Sequence, residues 1–522
     1  MPSTTLIPDH AARVADQDAP VARRARSFDP LLIAALATTL SLAGAARPSL
    51  WFDEAATISA ASSRSIPELW RMVGNIDAVH GLYYLLMQGW FAFFPPTEFW
   101  SRASSGLAVG AAAAGVVVLT RRFSSRSVAL SSGVVFAILP RTTWAGIEAR
   151  SYALCAVAAV WLTVLLVVAV QQGRTRLWPV YAAALTLAVL LNVFLVLLVP
   201  VHAVQLWVLR AGRPVVLRWT GAACAALLLV TPFIAFSHGQ VRQVGWIFPL
   251  GTRTFGDLTV QQYFDDSVPC AVCAGVVIAI ALLLMRFRPQ RRPDAPTRRL
   301  LLIASSWIAI PTAVLLLYSA LFEPMYYPRY LYFTAPAAAV VLGFCVTTLA
   351  RTRTSTTAVL VALAVAAAPN YVIVQRGAYA KEGMDFSQVA DVLTDHAAAG
   401  DCLLLDNTAA WKPGPIRPIT AARPSLYGKL VDLGRGTPAA KQNYLWDAHV
   451  AIWDIADWLP GCTVIWLVSE RDATVPDHAA QTAMAPGPRL GRAPAYQVAH
   501  RLGFSLAERW QFSFAQVAKL TR

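Results

Sequence analysis

The chain is 522 residues long, 57% hydrophobic and only 14% charged, with a mean hydropathy of +0.51, whereas a soluble domain is roughly 45–50% apolar and about 25% charged. That balance excludes a soluble globular protein and indicates a polytopic membrane protein. The net charge of +15 does not indicate nucleic acid, because the arginines fall in short clusters between apolar runs and no basic stripe with interleaved aromatics is present.

Residues 1–29 are polar and carry "RRAR" at 23–26. No cleavage site follows the first apolar run, so it reads as a signal anchor. Apolar stretches able to span a bilayer fall at roughly 30–47, 104–120, 127–141, 152–170, 178–192, 194–209, 219–236, 270–285, 300–320, 331–349 and 357–375. Threading these eleven spans with the N-terminus inside puts "RRFSSR" (121–126), "RTR" (174–176), "RAGRPVVLR" (210–218), "RFRPQRRPDAPTRR" (286–299) and "RTR" (351–353) all in the cytoplasm, as the positive-inside rule requires. Counting "HGLYYLLMQGWFAFFPP" (80–96) as a span would break that agreement. It is therefore read as a helix in the outer interface, with Tyr83, Tyr84, Trp90 and Phe94 at headgroup depth.

The expected organisation is a cytoplasmic tail (1–29), a transmembrane domain (30–376) with a long first external loop (48–103), and an extracytoplasmic α/β domain (377–522). In the last, "DFSQVADVLTDHAAAGDCLLLDN" reads as an amphipathic helix, a turn and a buried strand. "CTVIWLVSE" (462–470) is a second strand and "PAYQVAHRLGFSL" (494–506) a helix-to-turn unit, while 407–440, rich in Pro and Gly, reads as loop. Cys402 and Cys462 are the only cysteines of this region and could pair if it lies outside the cytoplasm. Cys270 and Cys273 lack the second ligand pair of a zinc site.

"SLWFDEAATISAASS" sets Asp53 and Glu54 at the outer mouth of the first span, where a carboxylate is costly unless paired or hydrated. On the same face fall Glu148, Arg150 and Tyr152 of "IEARSYAL", Glu323, Tyr326, Tyr327, Arg329 and Tyr330 of "FEPMYYPRYLYF", His80, and His238 and Arg242 of "SHGQVRQVGW". External arginines run against the inside bias. Arg150 and Arg329 either snorkel to the interface or clamp a phosphate. The tyrosines fit an aromatic belt, and both histidines fit loop or helix-end positions as well as a site.

The segments "LWFDEA" (50–55), "HGLYYLL" (80–86), "EFWSRASSGLAVG" (98–110), "EARSYAL" (148–154) and "YPRYLYFTAPA" (327–337) together resemble the GT-C class of membrane glycosyltransferases. The resemblance is to the dolichyl-phosphate-mannose-protein mannosyltransferase and RgtA/B/C/D-like group, and it covers about residues 30 to 375. One departure is Gly81-Leu82, where the family usually has two prolines. The resemblance implies a GT-C-like membrane protein of about eleven transmembrane helices with a small α/β domain. Its implied activity is transfer of a sugar from a polyprenyl-phosphate donor to an extracytoplasmic glycan, glycolipid or protein acceptor. Asp53 would be the general base with Glu54 as helper; Arg150, Arg329, Tyr327 and His80 would bind the donor phosphate; Glu148, Tyr152, His238 and Arg242 are weaker substrate contacts. A divalent cation is left open, with Asp53, Glu54 and Glu148 as possible oxygen ligands. The resemblance favours mannose. The Ala-, Arg- and Val-rich composition suggests a high-GC genome such as an actinobacterial one, where arabinofuranose on the same carrier is the alternative for cell-envelope biosynthesis. The rival from another class is a lipid or solute transporter, which would place ionisable groups near mid-membrane.

Overall fold

The computed structural model describes residues 28–408 and 416–522. The "RRAR" cluster and most of the expected tail lie outside the described residues, as does 409–415 of the Pro- and Gly-rich stretch.

Every expected span coincides with an apolar helix. The first, α1 (Asp29–Leu42), starts with Pro30 in its first turn, where a missing N–H costs nothing. Three short helices follow: α2 (Phe52–Ala61), α3 (Ile66–Val73) and α4 (Gly81–Phe91). The bundle continues with α5 (Glu98–Arg121), α6 (Arg126–Ile138), α7 (Tyr152–Gln172), α8 (Leu177–Leu191), α9 (Leu198–Val208), α10 (Arg213–His238), α11 (Val268–Phe287), α12 (Ala295–Leu321), α13 (Ala335–Leu349) and α14 (Arg353–Pro369). A 3-10 turn, Pro328–Thr334, leads into α13. Seven of these helical segments are long and apolar enough to cross a membrane, and four more, at α1, α6, α8 and α9, are apolar but shorter. Small residues let the helices approach closely: a Cβ on Gly110 of α5 would lie 2.1 Å from the Thr38 hydroxyl of α1.

One end of the bundle gathers the arginine-rich connections. Arg126 pairs with Asp29 at 2.6 Å, Arg122 reaches Gln171 at 3.2 Å, Thr297 reaches Ser124 at 3.0 Å, and Arg291 donates to the Thr348 carbonyl at 2.7 Å. The helices α1 and α5 therefore run from this end to the other, where α2 and the start of α5 meet the C-terminal domain.

That domain is a six-stranded sheet of order β2-β1-β3-β6-β5-β4: β1 (Cys402–Leu405), β2 (Val431–Asp432), β3 (Val464–Glu470), β4 (His478–Ala480), β5 (Ser505–Gln511) and β6 (Ala515–Thr521). β1 is parallel to β2 and β3, and the remaining pairs are antiparallel. The helices α15 (Phe386–His396) and α16 (Pro494–Arg501) flank it. Cys402 and Cys462 form a disulfide.

Side chains alternate across a strand, and both faces of this sheet are apolar. Cys402, Leu404, Ile465, Leu467, Ala518 and Leu520 pack with α16. The other face, with Leu403, Leu405, Trp466, Val468, Ala515 and Val517, packs with α15 and also with Leu50, Trp51, Ala55 and Ile58 of the α2 region. The sheet and α2 thus share one core.

The expected interfacial helix exists as α4, but its tyrosines are not at a lipid boundary. Tyr83 and Tyr84 are 1% and 0% exposed, because α4 is covered by α2, α3 and α8. Trp90 stays partly exposed, its ring tilted against Phe94 at 4.3 Å and its indole N–H donating to the Trp100 carbonyl at 2.8 Å.

Candidate active site

The acids of "WFDEA" occupy the first turn of α2, where the helix dipole favours negative charge. Consecutive helical residues project about 100° apart, so the two carboxylates enter different surroundings. Asp53 Oδ1 lies 3.4 Å from Arg150 Nη2, and its Oδ2 lies 3.5 Å from Arg329 Nη2. The structure therefore brings together three of the residues that the sequence singled out, from three separate segments.

Glu54 is elsewhere. Its Oε1 accepts from Arg102 Nε at 2.8 Å and from the Ala149 N–H at 3.1 Å, and its Oε2 pairs with Arg102 Nη2. Arg102 spends its other donors on the carbonyls of Ala45, Pro48 and Ser49. Both side chains are fully buried. This pair ties the chain entering α2 to α5, and the carboxylate expected to help Asp53 is a brace.

Glu148 is likewise sealed. It accepts from the Trp51 indole N–H at 2.8 Å and pairs with Lys381, which follows α14. Burial pushes its carboxyl above the ordinary range, against the pull of the Lys381 ammonium. It is no open substrate contact, but it fixes Trp51, whose ring lies 5.4 Å from the Arg329 guanidinium. Arg329 also lies over Tyr327 at 4.9 Å and Trp246 at 5.6 Å, three aromatic faces that hold a cation without neutralising it. Tyr152 is buried and within electrostatic reach of Arg329 and Asp53.

Arg150 is oriented from the other side. Its Nη1 donates to the Tyr84 hydroxyl at 2.9 Å, and that hydroxyl donates to Asp77 Oδ2 at 2.6 Å. Burial raises the Asp77 carboxyl, with Arg150 opposing. His80 lies against the Tyr84 ring at 5.9 Å. Burial, with Arg150 and Arg329 nearby, holds its imidazole well below its ordinary value, so it is neutral and offers a hydrogen bond, not a charge.

His238 and Arg242 are exposed, and among the described residues none of the contacts around Asp53 involves them. Their neighbours carry the connection instead: Gln243 and Gln240 accept from the N–H groups of Asp77 and Ala78 at 3.1 and 2.9 Å, and Trp246 meets Arg329. Sequence reasoning missed Asp77, Tyr84, Trp51, Trp246 and Lys381. Asp77 and Tyr84 flank His80 within four residues, a proximity that could have marked them.

Chemically, one carboxylate stands between two guanidinium groups. Arg150 Nε, Arg329 Nε and His80 Nδ1 are buried with no hydrogen-bond partner among the described residues. Unspent donors beside two cations suit an oxyanion. They do not suit a divalent cation: Asp53 already faces two positive groups, Glu54 and Glu148 are committed to Arg102 and Lys381, and the described residues contain no cluster of three His, Cys, Asp or Glu able to hold a metal.

No family model matches this chain, and no curated protein matches it either. Solved structures do. ArnT from Cupriavidus metallidurans in the apo state is 12% identical, with 94% of this chain and 97% of that chain covered and a TM-score of 0.55. The same protein bound to undecaprenyl phosphate gives the same identity and coverage and a TM-score of 0.51. The fold is that of the GT-C class. The apo oligosaccharyltransferase of Archaeoglobus fulgidus gives a TM-score of 0.47 at 12% identity, over 85% of this chain and 70% of that chain. The near-complete mutual coverage with ArnT extends the GT-C likeness past the bundle and into the C-terminal sheet.

Proposed function

We propose that the protein is an integral membrane glycosyltransferase that moves a sugar from a polyprenyl-phosphate donor to an acceptor hydroxyl, with inversion and with Asp53 as general base. The observation that carries this reading is the Asp53 carboxylate set between Arg150 and Arg329. The acceptor oxygen gives its proton to Asp53 and bonds to the anomeric carbon, while the bond from that carbon to the phosphate oxygen breaks and its electron pair leaves with the phosphate. Arg150 and Arg329, with their unspent N–H groups, neutralise the departing charge. The likeness to a protein crystallised with undecaprenyl phosphate supports a polyprenyl-phosphate donor. No covalent intermediate is needed, since among the described residues the carboxylates near Asp53 are committed to other partners, Glu54 to Arg102, Glu148 to Lys381 and Asp77 to Tyr84. Mannose is the favoured sugar, from the sequence resemblance, and arabinofuranose the alternative.

We place the sheet domain outside the cytoplasm and the arginine-rich end inside. The Cys402–Cys462 disulfide belongs to an oxidising compartment, and the clustered arginines follow the positive-inside rule. Acceptors would then be glycans, glycolipids or proteins of the cell envelope.

The test is transfer of radiolabel from polyprenyl-phosphate mannose or arabinofuranose to a membrane glycolipid extract, by the purified protein in lipid nanodiscs. Asp53→Asn should lower transfer by about a hundredfold or more while the protein stays folded. Normal transfer by that variant removes the assignment of the base. An intact fold that neither transfers nor hydrolyses either donor turns the reading toward a transporter.

A further inference from the structure

The sequence offers Asp53 and Glu54 as a natural pair, and the structure breaks that pair. We propose that the second carboxylate on which the reaction depends is Asp77, a positioning residue that sets the Arg150 guanidinium through the Tyr84 hydroxyl; this rests on Arg150 binding the donor phosphate.

A guanidinium can only donate hydrogen bonds, so any hydroxyl that meets it must accept. Tyr84 has one proton, and it is given to Asp77 Oδ2 at 2.6 Å, which leaves an oxygen lone pair for Arg150 Nη1 at 2.9 Å. A charge-assisted acceptor holds that proton more firmly than a neutral one. With Nη1 fixed in this way, Nη2 faces Asp53 at 3.4 Å and Nε stays buried and unpartnered.

Asp77 is itself held at a backbone conformation that side chains avoid. Its φ is +58°, in the left-handed region that most residues other than glycine avoid. Two glutamines maintain it, Gln243 accepting from the Asp77 N–H and Gln240 from the Ala78 N–H. Gln240 also donates to the Val73 carbonyl at 3.0 Å, which locks the turn to α3. The same 240–246 segment supplies Trp246 to Arg329. One connection therefore braces both guanidinium groups, Arg329 through a ring face and Arg150 through Asp77 and Tyr84.

The experiment uses the full-length protein in nanodiscs with radiolabelled polyprenyl-phosphate sugar. It measures donor KM, acceptor KM and kcat for Tyr84→Phe, Asp77→Ala, Asp77→Asn, the Tyr84→Phe/Asp77→Ala double variant and Arg150→Gln, with thermal unfolding of each. Losing one hydrogen bond to a charged group should raise the donor KM about tenfold in Tyr84→Phe and in Asp77→Ala, leaving the acceptor KM unchanged. Asp77→Asn, which keeps an accepting oxygen, should fall between these and the parent. The double variant should be no worse than Tyr84→Phe, because the two groups act in series. Should Asp77→Ala fail to fold, Tyr84→Phe and Asp77→Asn carry the comparison. A donor KM unchanged in Tyr84→Phe but raised in Arg150→Gln overturns the positioning role and leaves the phosphate reading standing. Additive losses in the double variant also overturn it. An unchanged donor KM in Arg150→Gln overturns both.

Discussion

At the scale of single residues, adjacent acids in a sequence carry different work because a helix turns between them. Asp53 keeps partial contact with solvent, at 16% side-chain exposure, while Glu54 has none. Removing one partner of a buried ion pair costs about 3–5 kcal/mol, since the other charge is left stranded. Arg102→Met should therefore lower the unfolding temperature of the purified protein markedly, and by more than Asp53→Asn, whose carboxylate is partly solvated and stands 3.4 and 3.5 Å from its two guanidinium partners, while Asp53→Asn is the variant that loses transfer about a hundredfold. Equal thermal losses in the two variants would contradict this division. Asp53 stood out in the sequence as a carboxylate at a lipid boundary, and Arg150 and Arg329 as positive charges that run against the inside bias. Asp77, Tyr84 and Lys381 did not, because each acquires its role only from a partner far along the chain or hidden under a helix. Tyr83 and Tyr84 fitted an aromatic belt equally well until α2, α3 and α8 were seen to cover them.

At the scale of elements, apolar length and arginine placement were enough to locate every bundle helix, because lipid leaves the backbone few alternatives. The sheet was harder. β1 and β3 are continuous apolar runs and were read directly. β5 was missed because Glu508 and Arg509 interrupt it, and β6 because Gln516 and Lys519 do. The described part of the stretch read as loop, 416–440, is largely irregular, yet it is pinned by polar contacts: Arg417 pairs with Asp432 and donates from Nε to His449 Nδ1, beyond that stretch, at 3.2 Å. Burial, together with Arg417, pushes the His449 imidazole down to about 4. The unfolded chain takes up this proton near pH 6.5, and the folded chain resists it until about pH 4. The contribution is thus complete above pH 6.5 and lost as the pH falls toward 4. Thermal unfolding followed across that window should show a shallower acid decline in His449→Gln than in the parent, and an identical slope would remove His449 from the account.

At the scale of the whole molecule, the chain runs α1, α2 and α5 between an arginine-rich end and the sheet domain, and the proposed orientation can be read from outside a cell. A cysteine replacing Lys429, which is exposed on the sheet domain, should react with a membrane-impermeant maleimide on intact cells. One replacing Ser127, exposed beside Arg126 at the other end, should react only after permeabilisation. The opposite labelling pattern would invert the topology and place the Asp53 cluster in the cytoplasm. The core that α2 shares with the sheet also has a consequence in time. Leu50, Trp51, Ala55 and Ile58 leave the ribosome hundreds of residues before Ala515 and Val517, which pack in the same cluster. Through most of synthesis the helix that bears Asp53 therefore waits with its apolar flank uncovered. The Asp53 site is then completed late and at once, when β6 closes over that flank, so a half-made chain has the apolar helices of the finished protein and not its assembled site.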